Sequence, residues 1–345
     1  MKLTFLQLLA IYKLKYSIFN KNNLYLCEII KITFIFLMTL QQLEYIVALS
    51  KTKHFVQAAE MSGVTQPTLS MMIQKLEDEL DVKIFDRSKH PIGITAIGNK
   101  IVDQAQVVLC QLNKINEMVE SEKGDLTGHI NLAIIPTVAP YLLPKFFAEF
   151  KRNYPQLSFK MYEMHTDTIE RKLMLGDIDM AILSTPLSNP NVLEIPLYYE
   201  KFIAYISPNN ELYKHTELIS GDLPLEHLWV LEEGHCLRNQ VFNFCNSGIV
   251  TSYAYESGSI DTLVKIVDEN GGYTVIPELH VELLTDIQKK NLRKLVEPEP
   301  AREISLIIQQ NFIREGQLNA VAETVKKIIP PHMLDSRLKK FAIKI

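Results

Sequence analysis

Two cysteines lie close together in the segment EEGHCLRNQVFNFC, and their thiols could carry redox chemistry. They are Cys236 and Cys245, nine positions apart. A cysteine reacts as its thiolate, and a neighbouring positive charge or hydrogen-bond donor lowers the thiol pKa. His235 and Arg238 flank Cys236 and could provide both. Peroxide oxidises a thiolate to a sulfenic acid, which a second thiol can trap as a disulfide. Because a disulfide needs Cα atoms within about 7 Å, closing it could remodel the intervening segment.

Two other interpretations of this segment remain open. Cysteine is among the most buried residue types, so both cysteines could be ordinary core residues. A metal site built from His235, Cys236 and Cys245 is a weaker hypothesis, because no fourth ligand is apparent. The chain has two further cysteines, Cys27 and Cys110, and no two of the four have CxxC spacing. Four cysteines in 345 residues are too few for a disulfide-stapled secreted scaffold.

The composition is that of a globular protein with two or three domains. The chain has 345 residues, of which 47% are hydrophobic and 22% charged, and its net charge is −4. This charge excludes a strongly basic protein that coats nucleic acid non-specifically, but it allows a small DNA-reading module.

Residues 1–37 differ from the rest of the chain, being rich in Leu, Ile, Lys, Asn, Phe and Tyr. Their apolar runs, Leu3–Tyr12 and Ile32–Leu37, are shorter than the about 20 residues that span a bilayer. No signal-peptide cleavage site follows them. We predict an extension outside the fold, produced by a start site placed too far upstream, with a membrane anchor as the alternative.

Residues 38–95 have the pattern of a winged helix-turn-helix. In FVQAAEMSGVTQPTLSMMIQKLEDEL, two short helices flank a turn at Gly63, and Thr65 and Pro67 suit the start of the second helix. A buried stripe is expected at Leu69, Ile73, Leu76 and Leu80. The outward side chains are then Gln66, Thr68, Ser70, Met71 and Gln74, which with Pro67 form the candidate DNA-reading surface. Glutamine can pair with adenine in the major groove.

The charge of this segment is nearly balanced, so its basic residues must be grouped on the DNA side. Lys51 and Lys53, before the first of the two helices, and Arg87, in the wing, are the candidate phosphate contacts. The alternative is an ordinary three-helix domain.

A long helix and an α/β receiver are predicted after this head. Apolar residues recur at helical spacing through 96–123, long enough for a coiled-coil dimer seam, and Cys110 is expected to pack there. From Thr127, predicted strands alternate with helices in a parallel α/β arrangement of two lobes joined near 200 and 302, with a ligand cleft between them. The predicted domains are 38–95, a linker helix at 96–124 and a regulatory domain at 125–335, with lobe I at 128–200 and 303–335 and lobe II at 201–302.

The motifs FxxAAxxxxVTQPTLSxxIxxLExxL, KIFDRS, ITAIG and LMLGDIDMAIL resemble those of LysR-type transcriptional regulators over about 39–330. The resemblance implies that Gln66, Thr68 and Ser70 contact DNA and that the long helix dimerises. It also implies a regulatory domain similar to periplasmic binding proteins, which in most members senses a small organic molecule.

The string GHCLRxQ…FC further resembles the sensor loop of peroxide-responsive members of that family. This resemblance implies the following roles: Cys236 is the peroxidatic cysteine and Cys245 the resolving one, His235 lies beside the thiolate, Thr137 and Thr166 help to bind peroxide, and Arg302 stabilises the thiolate. From the residues alone, both threonines could instead be helix caps, and Arg302 could form a surface ion pair.

The sequence is therefore interpreted as a cytoplasmic, homotetrameric activator of the oxidative-stress response. The expected partners are promoter DNA, RNA polymerase, hydrogen peroxide as signal and thioredoxin- or glutaredoxin-type reductants. No enzyme activity, cofactor, metal or membrane contact is expected. One alternative is a regulator that senses a small organic ligand and has structural cysteines. Another is a thiol peroxidase, although such an enzyme would not need residues 40–123.

Overall fold

The computed structural model describes residues 38–121, 126–244, 256–297 and 299–335. The predicted extension at residues 1–37 and the predicted resolving residue Cys245 lie outside these ranges. The chain divides into two compact units between Leu112 and Asn113. In the described residues, no helix has the length and apolar character needed to cross a membrane.

The first unit contains the predicted helix-turn-helix and wing. Its elements are α1 (Leu40–Thr52), α2 (Phe55–Met61), α3 (Gln66–Leu80), β1 (Phe85–Asp86) and β2 (Gly93–Ile94). Thr65 caps α3, because its side chain accepts a hydrogen bond from the Thr68 N–H, and Pro67 lies in the first turn as predicted. β1 and β2 pair antiparallel as the wing.

The buried stripe of α3 is shorter than predicted. Leu69, Ile73 and Leu76 are fully buried, whereas Leu80 is 37% exposed. Leu80 is the last residue of the helix, and Asp81 follows it with a left-handed backbone that turns the chain away. The apolar repeat therefore continues to Leu80, although the contact of the helix with the core ends before that residue.

Helix α4 (Ala96–Ser121) confirms the predicted long helix, and its predicted end at residue 124 lies outside the described residues. Apolar side chains remain exposed along it, namely Ile97, Val108, Leu112, Ile115 and Val119. Cys110 is half-buried. An exposed apolar line on a long helix is what a dimer seam requires.

The second unit is an α/β fold with one large sheet. Its strands are β3 (Gly128–Ile134), β4 (Leu157–Glu163), β5 (Met180–Thr185), β6 (Val192–Ile206), β7 (Glu217–Ile219), β8 (Val230–Leu231), β9 (Glu256–Ser257), β10 (Tyr273–Pro277), β11 (Leu292–Val296) and β12 (Ala301–Gln309). Its helices are α5 (Ala139–Asn153), α6 (Thr166–Leu175), α7 (Cys236–Phe244), α8 (Ile260–Asn270) and α9 (Glu315–Ile328).

The sheet is mixed, so the prediction of a parallel arrangement is only partly right. The strand order is β4-β3-β5-β12-β6-β11-β7, and β10 also pairs with β6. Strands β4, β3 and β5 run parallel to one another. Strand β12 is antiparallel to both of its neighbours, β5 and β6. Strands β6 and β12 belong to the crossovers between the lobes. The alternation of strands and helices in the sequence does not reveal that these two strands are antiparallel.

Two separate hydrophobic cores define the two lobes, and β6 passes through both. Glu200 on β6 is directly opposite Arg302 on β12 in the antiparallel register. The predicted crossing points near 200 and 302 therefore lie side by side on paired strands. They bring a carboxylate and a guanidinium together at the junction of the lobes.

Candidate functional site

Cys236 is the first residue of α7, after a short loop that leaves β8. Its side chain is 7% exposed, and its Sγ lies 2.8 Å from the Oγ1 of Thr166, the first residue of α6. Apolar contacts of Leu237 and Val241 fasten α7 to the core of lobe II. On the same helix, Gln240 Nε2 donates to Ser184 Oγ at 3.0 Å, which ties α7 to lobe I.

The electrostatic environment of the thiol differs from the prediction. Burial raises the pKa of Cys236, and the Thr166 hydroxyl and the charge of Arg302 only partly oppose this effect. Burial and the neighbouring His165 lower the pKa of His235, which disfavours a positive charge on this histidine. The Arg238 guanidinium lies 5.7 Å from the centre of the Phe242 ring. In the structure, burial therefore raises the thiol pKa, whereas the sequence neighbours of Cys236 suggested that it would be lowered.

Arg302 is fully buried, which excludes the surface ion pair that the sequence left open. Its Nε donates to Glu200 Oε1 at 2.8 Å, and Glu200 is equally buried. Its Nη1 donates to Thr137 Oγ1 at 2.9 Å, and its Nη2 donates to the Thr137 carbonyl at 3.1 Å. Thr137 thus positions the guanidinium and is not a helix cap, since Val138 occupies the N-cap position of α5.

Two tyrosines complete this buried polar cluster. The Tyr141 hydroxyl donates to Glu200 Oε1 at 2.8 Å and lies 3.1 Å from the Tyr198 hydroxyl. Burial, together with the charge of Glu200, raises the pKa of both tyrosines well above its ordinary value. Burial opposes the charge on Arg302, but Glu200 and the tyrosines raise its pKa, so the guanidinium stays charged. The polar groups of this cluster are hydrogen-bonded to one another, and no local sequence motif identifies the side chains that provide the partners.

The structure brings two pairs of the predicted site residues into contact. Thr166 contacts Cys236, and Thr137 contacts Arg302. Sequence reasoning missed Glu200, Tyr141 and Tyr198, although a glutamate within the apolar strand LYYEKFIAYI was a usable signal of a buried charge. Thr166 is also not the cap of α6, because His165 occupies that position.

The candidate DNA-reading residues lie on the outer face of α3. Gln66, Pro67, Thr68 and Gln74 are exposed and Ser70 is half-buried, as is required of a helix that enters a groove. Lys51 and Lys53 are exposed at the end of α1.

Arg87 has an intramolecular partner, unlike a residue whose side chain contacts only DNA. Its Nη2 lies 3.3 Å from Oε2 of Glu77, and its guanidinium lies 5.3 Å from the centre of the Phe55 ring. Glu77 is buried, and its Oε1 accepts hydrogen bonds from the Ile84 and Phe85 N–H groups. Arg87 therefore helps to hold the wing against α3.

Two family models match the chain. The bacterial regulatory helix-turn-helix of the lysR family matches residues 40–99, and the LysR substrate binding domain matches residues 123–328. The chain belongs to the LysR family. The sequence-based interpretation as a DNA-binding transcriptional regulator of this family, with a helix-turn-helix and a two-lobed α/β regulatory domain, is confirmed.

Within the LysR family, the chain is similar to hydrogen peroxide-inducible genes activators. One from Haemophilus influenzae is 34% identical over 299 residues, which cover 85% of this chain and 99% of the relative. The DNA-binding transcriptional dual regulator OxyR of Escherichia coli K12 is 32% identical, covering 88% of this chain and 99% of the relative. The predicted resemblance to peroxide-responsive members is therefore confirmed.

Solved structures of OxyR proteins have the same fold. A full-length OxyR variant from Pseudomonas aeruginosa is 32% identical with a TM-score of 0.70, covering 84% of this chain and 98% of that one. A cysteine variant of OxyR from Corynebacterium glutamicum, bound to H2O2, is 26% identical with a TM-score of 0.55, covering 89% of this chain and 97% of that one.

Proposed function

We propose that this LysR-family regulator is an activator that senses hydrogen peroxide through Cys236. The observation that carries the proposal is the contact of the Cys236 sulfur with the Thr166 hydroxyl at the start of two helices. A hydroxyl at 2.8 Å from the sulfur can also donate to, or accept from, a peroxide held beside it. The similarity to activators named for hydrogen peroxide supports the same signal.

The proposed chemistry balances in two steps. The thiolate of Cys236 attacks one peroxide oxygen, the O–O bond breaks, and the leaving hydroxide takes up a proton to become water. The sulfenic acid on Cys236 then condenses with the thiol of Cys245, forming the disulfide and a second water. Each peroxide is reduced by two electrons as two thiols are oxidised. A thioredoxin- or glutaredoxin-type dithiol returns those electrons by disulfide exchange.

The roles of the surrounding residues follow from their contacts. Thr166 hydrogen-bonds the sulfur and would help to orient the peroxide, while the positive charge of Arg302 favours the thiolate. Thr137 holds the guanidinium of Arg302 in place. His235 and Arg238 flank the thiol in sequence, and their part is to shape the loop around it.

Closing the disulfide would transmit the signal by repacking α7. Leu237 and Val241 fasten this helix to lobe II, and Gln240 joins it to Ser184 of lobe I. A shift of Cys236 toward another cysteine must break some of these contacts, so the lobes must adjust. We propose that α4 forms the dimer seam and that two dimers make a tetramer, whose rearrangement changes the placement of the DNA-reading heads.

The heads would then contact promoter DNA and RNA polymerase in a different arrangement. Base edges would be read by Gln66, Pro67, Thr68, Ser70 and Gln74, with Lys51, Lys53 and Arg87 at phosphates. We propose that the protein acts in the cytoplasm, where the DNA and the dithiol reductants are present. We propose that the chain acts as a switch and not as an enzyme, because a single oxidation to the disulfide is enough to change the arrangement of the heads.

The fluorescence of Trp229 provides a direct test, because it is the one tryptophan of the sequence. Trp229 packs against the same core that holds Leu237 and Val241, and its Nε1 donates to the Gly271 carbonyl at 2.8 Å. About one equivalent of peroxide should change this fluorescence and produce a Cys236–Cys245 disulfide detectable by mass spectrometry.

Two variants make the outcome decisive. Cys236→Ser should show neither change, and Cys245→Ser should stop at the sulfenic acid, which a dimedone probe traps. If the wild type forms no disulfide and its fluorescence is unchanged, the peroxide sensor is refuted and the organic-ligand regulator is favoured. Rapid consumption of many equivalents of peroxide in the presence of excess dithiol reductant would instead indicate a thiol peroxidase. DNA footprinting of the reduced and oxidised wild type then tests the output.

A further inference from the structure

Three metal-ligating side chains meet beside Cys236 without taking part in the chemistry proposed above. His165, Glu232 and His235 each offer one ligand atom, and these atoms lie within 4.8 Å of one another. The rings of the two histidines are 4.4 Å apart between centroids, and His235 Nε2 is 3.9 Å from Glu232 Oε1. His165 comes from the β4–α6 loop of lobe I, whereas the other two lie in the β8–α7 loop of lobe II.

The buried histidine of this cluster lacks a hydrogen bond that its position calls for. The His235 side chain is 2% exposed, and its Nε2 has no hydrogen-bond partner within the described ranges. A buried polar atom without a partner has lost its hydrogen bonds to water without replacement, so an unpaired imidazole nitrogen facing another ring and a carboxylate needs an explanation. A cation between the three groups would satisfy it.

The loop is built for this close approach. Gly234 has a positive φ of 99°, and a Cβ at this position would lie 2.6 Å from His165 Nδ1. Only glycine lets the loop of lobe II pack directly on the His165 ring. The Glu232 side chain is 45% exposed, which leaves an entry path from solvent and freedom to rotate toward an ion.

We propose that His165, Glu232 and His235 form a binding site for a divalent transition-metal ion of the Zn²⁺ class. Two imidazoles and one carboxylate are ligands that Zn²⁺ accepts at about 2.0–2.2 Å, with water in a fourth position. Tetrahedral ligands around such an ion are about 3.3–3.5 Å apart. The three ligand atoms, which lie within 4.8 Å of one another, would therefore draw closer together when the ion binds. The ligand types exclude the all-oxygen coordination that Ca²⁺ and Mg²⁺ prefer.

A metal ion at this position would clamp the two loops that carry the thiol and its partner. His165 immediately precedes Thr166, and His235 immediately precedes Cys236. The ion would therefore hold both sides of the Thr166–Cys236 contact and link lobe I to lobe II. The metal site needs no step of the peroxide chemistry, because the sulfur is not one of its ligands.

Cobalt and zinc titrations of the reduced full-length chain test the site. Co²⁺ should bind once per chain with visible d–d absorption and no thiolate-to-cobalt charge-transfer band, and Zn²⁺ should displace it. His165→Ala, His235→Ala and Glu232→Gln should each weaken binding at least about tenfold. Glu232→Gln alters one atom of a half-exposed side chain, so its effect does not depend on loss of the fold.

A matched control and a thiol variant complete the design. His129→Ala removes an exposed histidine that hydrogen-bonds Ser158 elsewhere in lobe I, and it should leave the affinity unchanged. Cys236→Ser should bind cobalt as the wild type does, which separates this site from the peroxide sensor. The proposal is overturned if the wild type does not bind, if a charge-transfer band reveals cysteine ligands, or if the three site variants bind as tightly as His129→Ala.

Discussion

Each unit of the protein buries a glutamate that pairs with an arginine, and the two pairs differ in how much of the arginine reaches water. In the regulatory unit, Glu200 and Arg302 are both fully buried. In the DNA-binding unit, Glu77 is buried but the side chain of Arg87 is 38% exposed. The first carboxylate compensates a buried charge, whereas the second mainly accepts hydrogen bonds from the wing backbone. The comparison shows that the same two residue types can serve charge compensation in one domain and wing attachment in the other.

The largest expected effect is that of removing the buried countercharge. Glu200→Gln should lower the free energy of unfolding of the regulatory unit by about 3–5 kcal/mol, because it leaves the charge of Arg302 buried without a counterion. Urea denaturation of the reduced chain measures this loss. Glu282→Gln is the matched control, since its pair with Lys145 is exposed and should contribute less than about 1 kcal/mol. Equal losses in the two variants would contradict the inference that Arg302 depends on Glu200.

A smaller effect is expected from the same substitution in the DNA-binding unit. Glu77→Gln should cost about 1–2 kcal/mol, because the amide oxygen can still accept from the Ile84 and Phe85 N–H groups while Arg87 turns to water. Thermal unfolding of the reduced chain, followed by circular dichroism, checks this value. A loss as large as that of Glu200→Gln would mean that the two pairs are energetically alike and that exposure of the arginine does not matter.

The smallest expected effect concerns the contribution of Arg87 to DNA affinity. Lys53→Gln should reduce the slope of log K against log salt by about 1, as expected for a lost phosphate contact. Arg87→Gln should reduce the slope by less, because Glu77 already offsets part of its charge. Titrations of a labelled promoter fragment at several salt concentrations distinguish the two. A larger change in Arg87→Gln would show that its guanidinium leaves Glu77 to bind DNA.

Local patterns in the sequence predicted the elements well where the signal is short-range. The cap at Thr65 and the helix α3 have the predicted positions, because capping and apolar periodicity act over a few residues. The mixed sheet was not predicted, since antiparallel β12 pairs with strands that lie far away in sequence. Leu80 shows the same limit on a small scale, because the repeat continues where the core contact has ended.

The candidate site divides in the same way. Cys236 could be selected from its own segment, and the threonines and Arg302 from a resemblance. Glu200 and His165 could not be assigned in this way, because each acts on a residue far away in the chain. Burial also reversed the expected direction of the thiol pKa, since desolvation depends on every element packed around the sulfur and not on its sequence neighbours.

The sequence by itself determined the family, the helix-turn-helix, the long helix and the cysteine on which the proposed chemistry depends. These features are encoded by residues within a turn or two of one another. Only the tertiary structure decided that Arg302 is neutralised by Glu200 and that His165 faces His235. The physical reason is that charge compensation and metal coordination depend on distances through space, and the fold sets those distances by pairing strands and loops that are far apart in the chain.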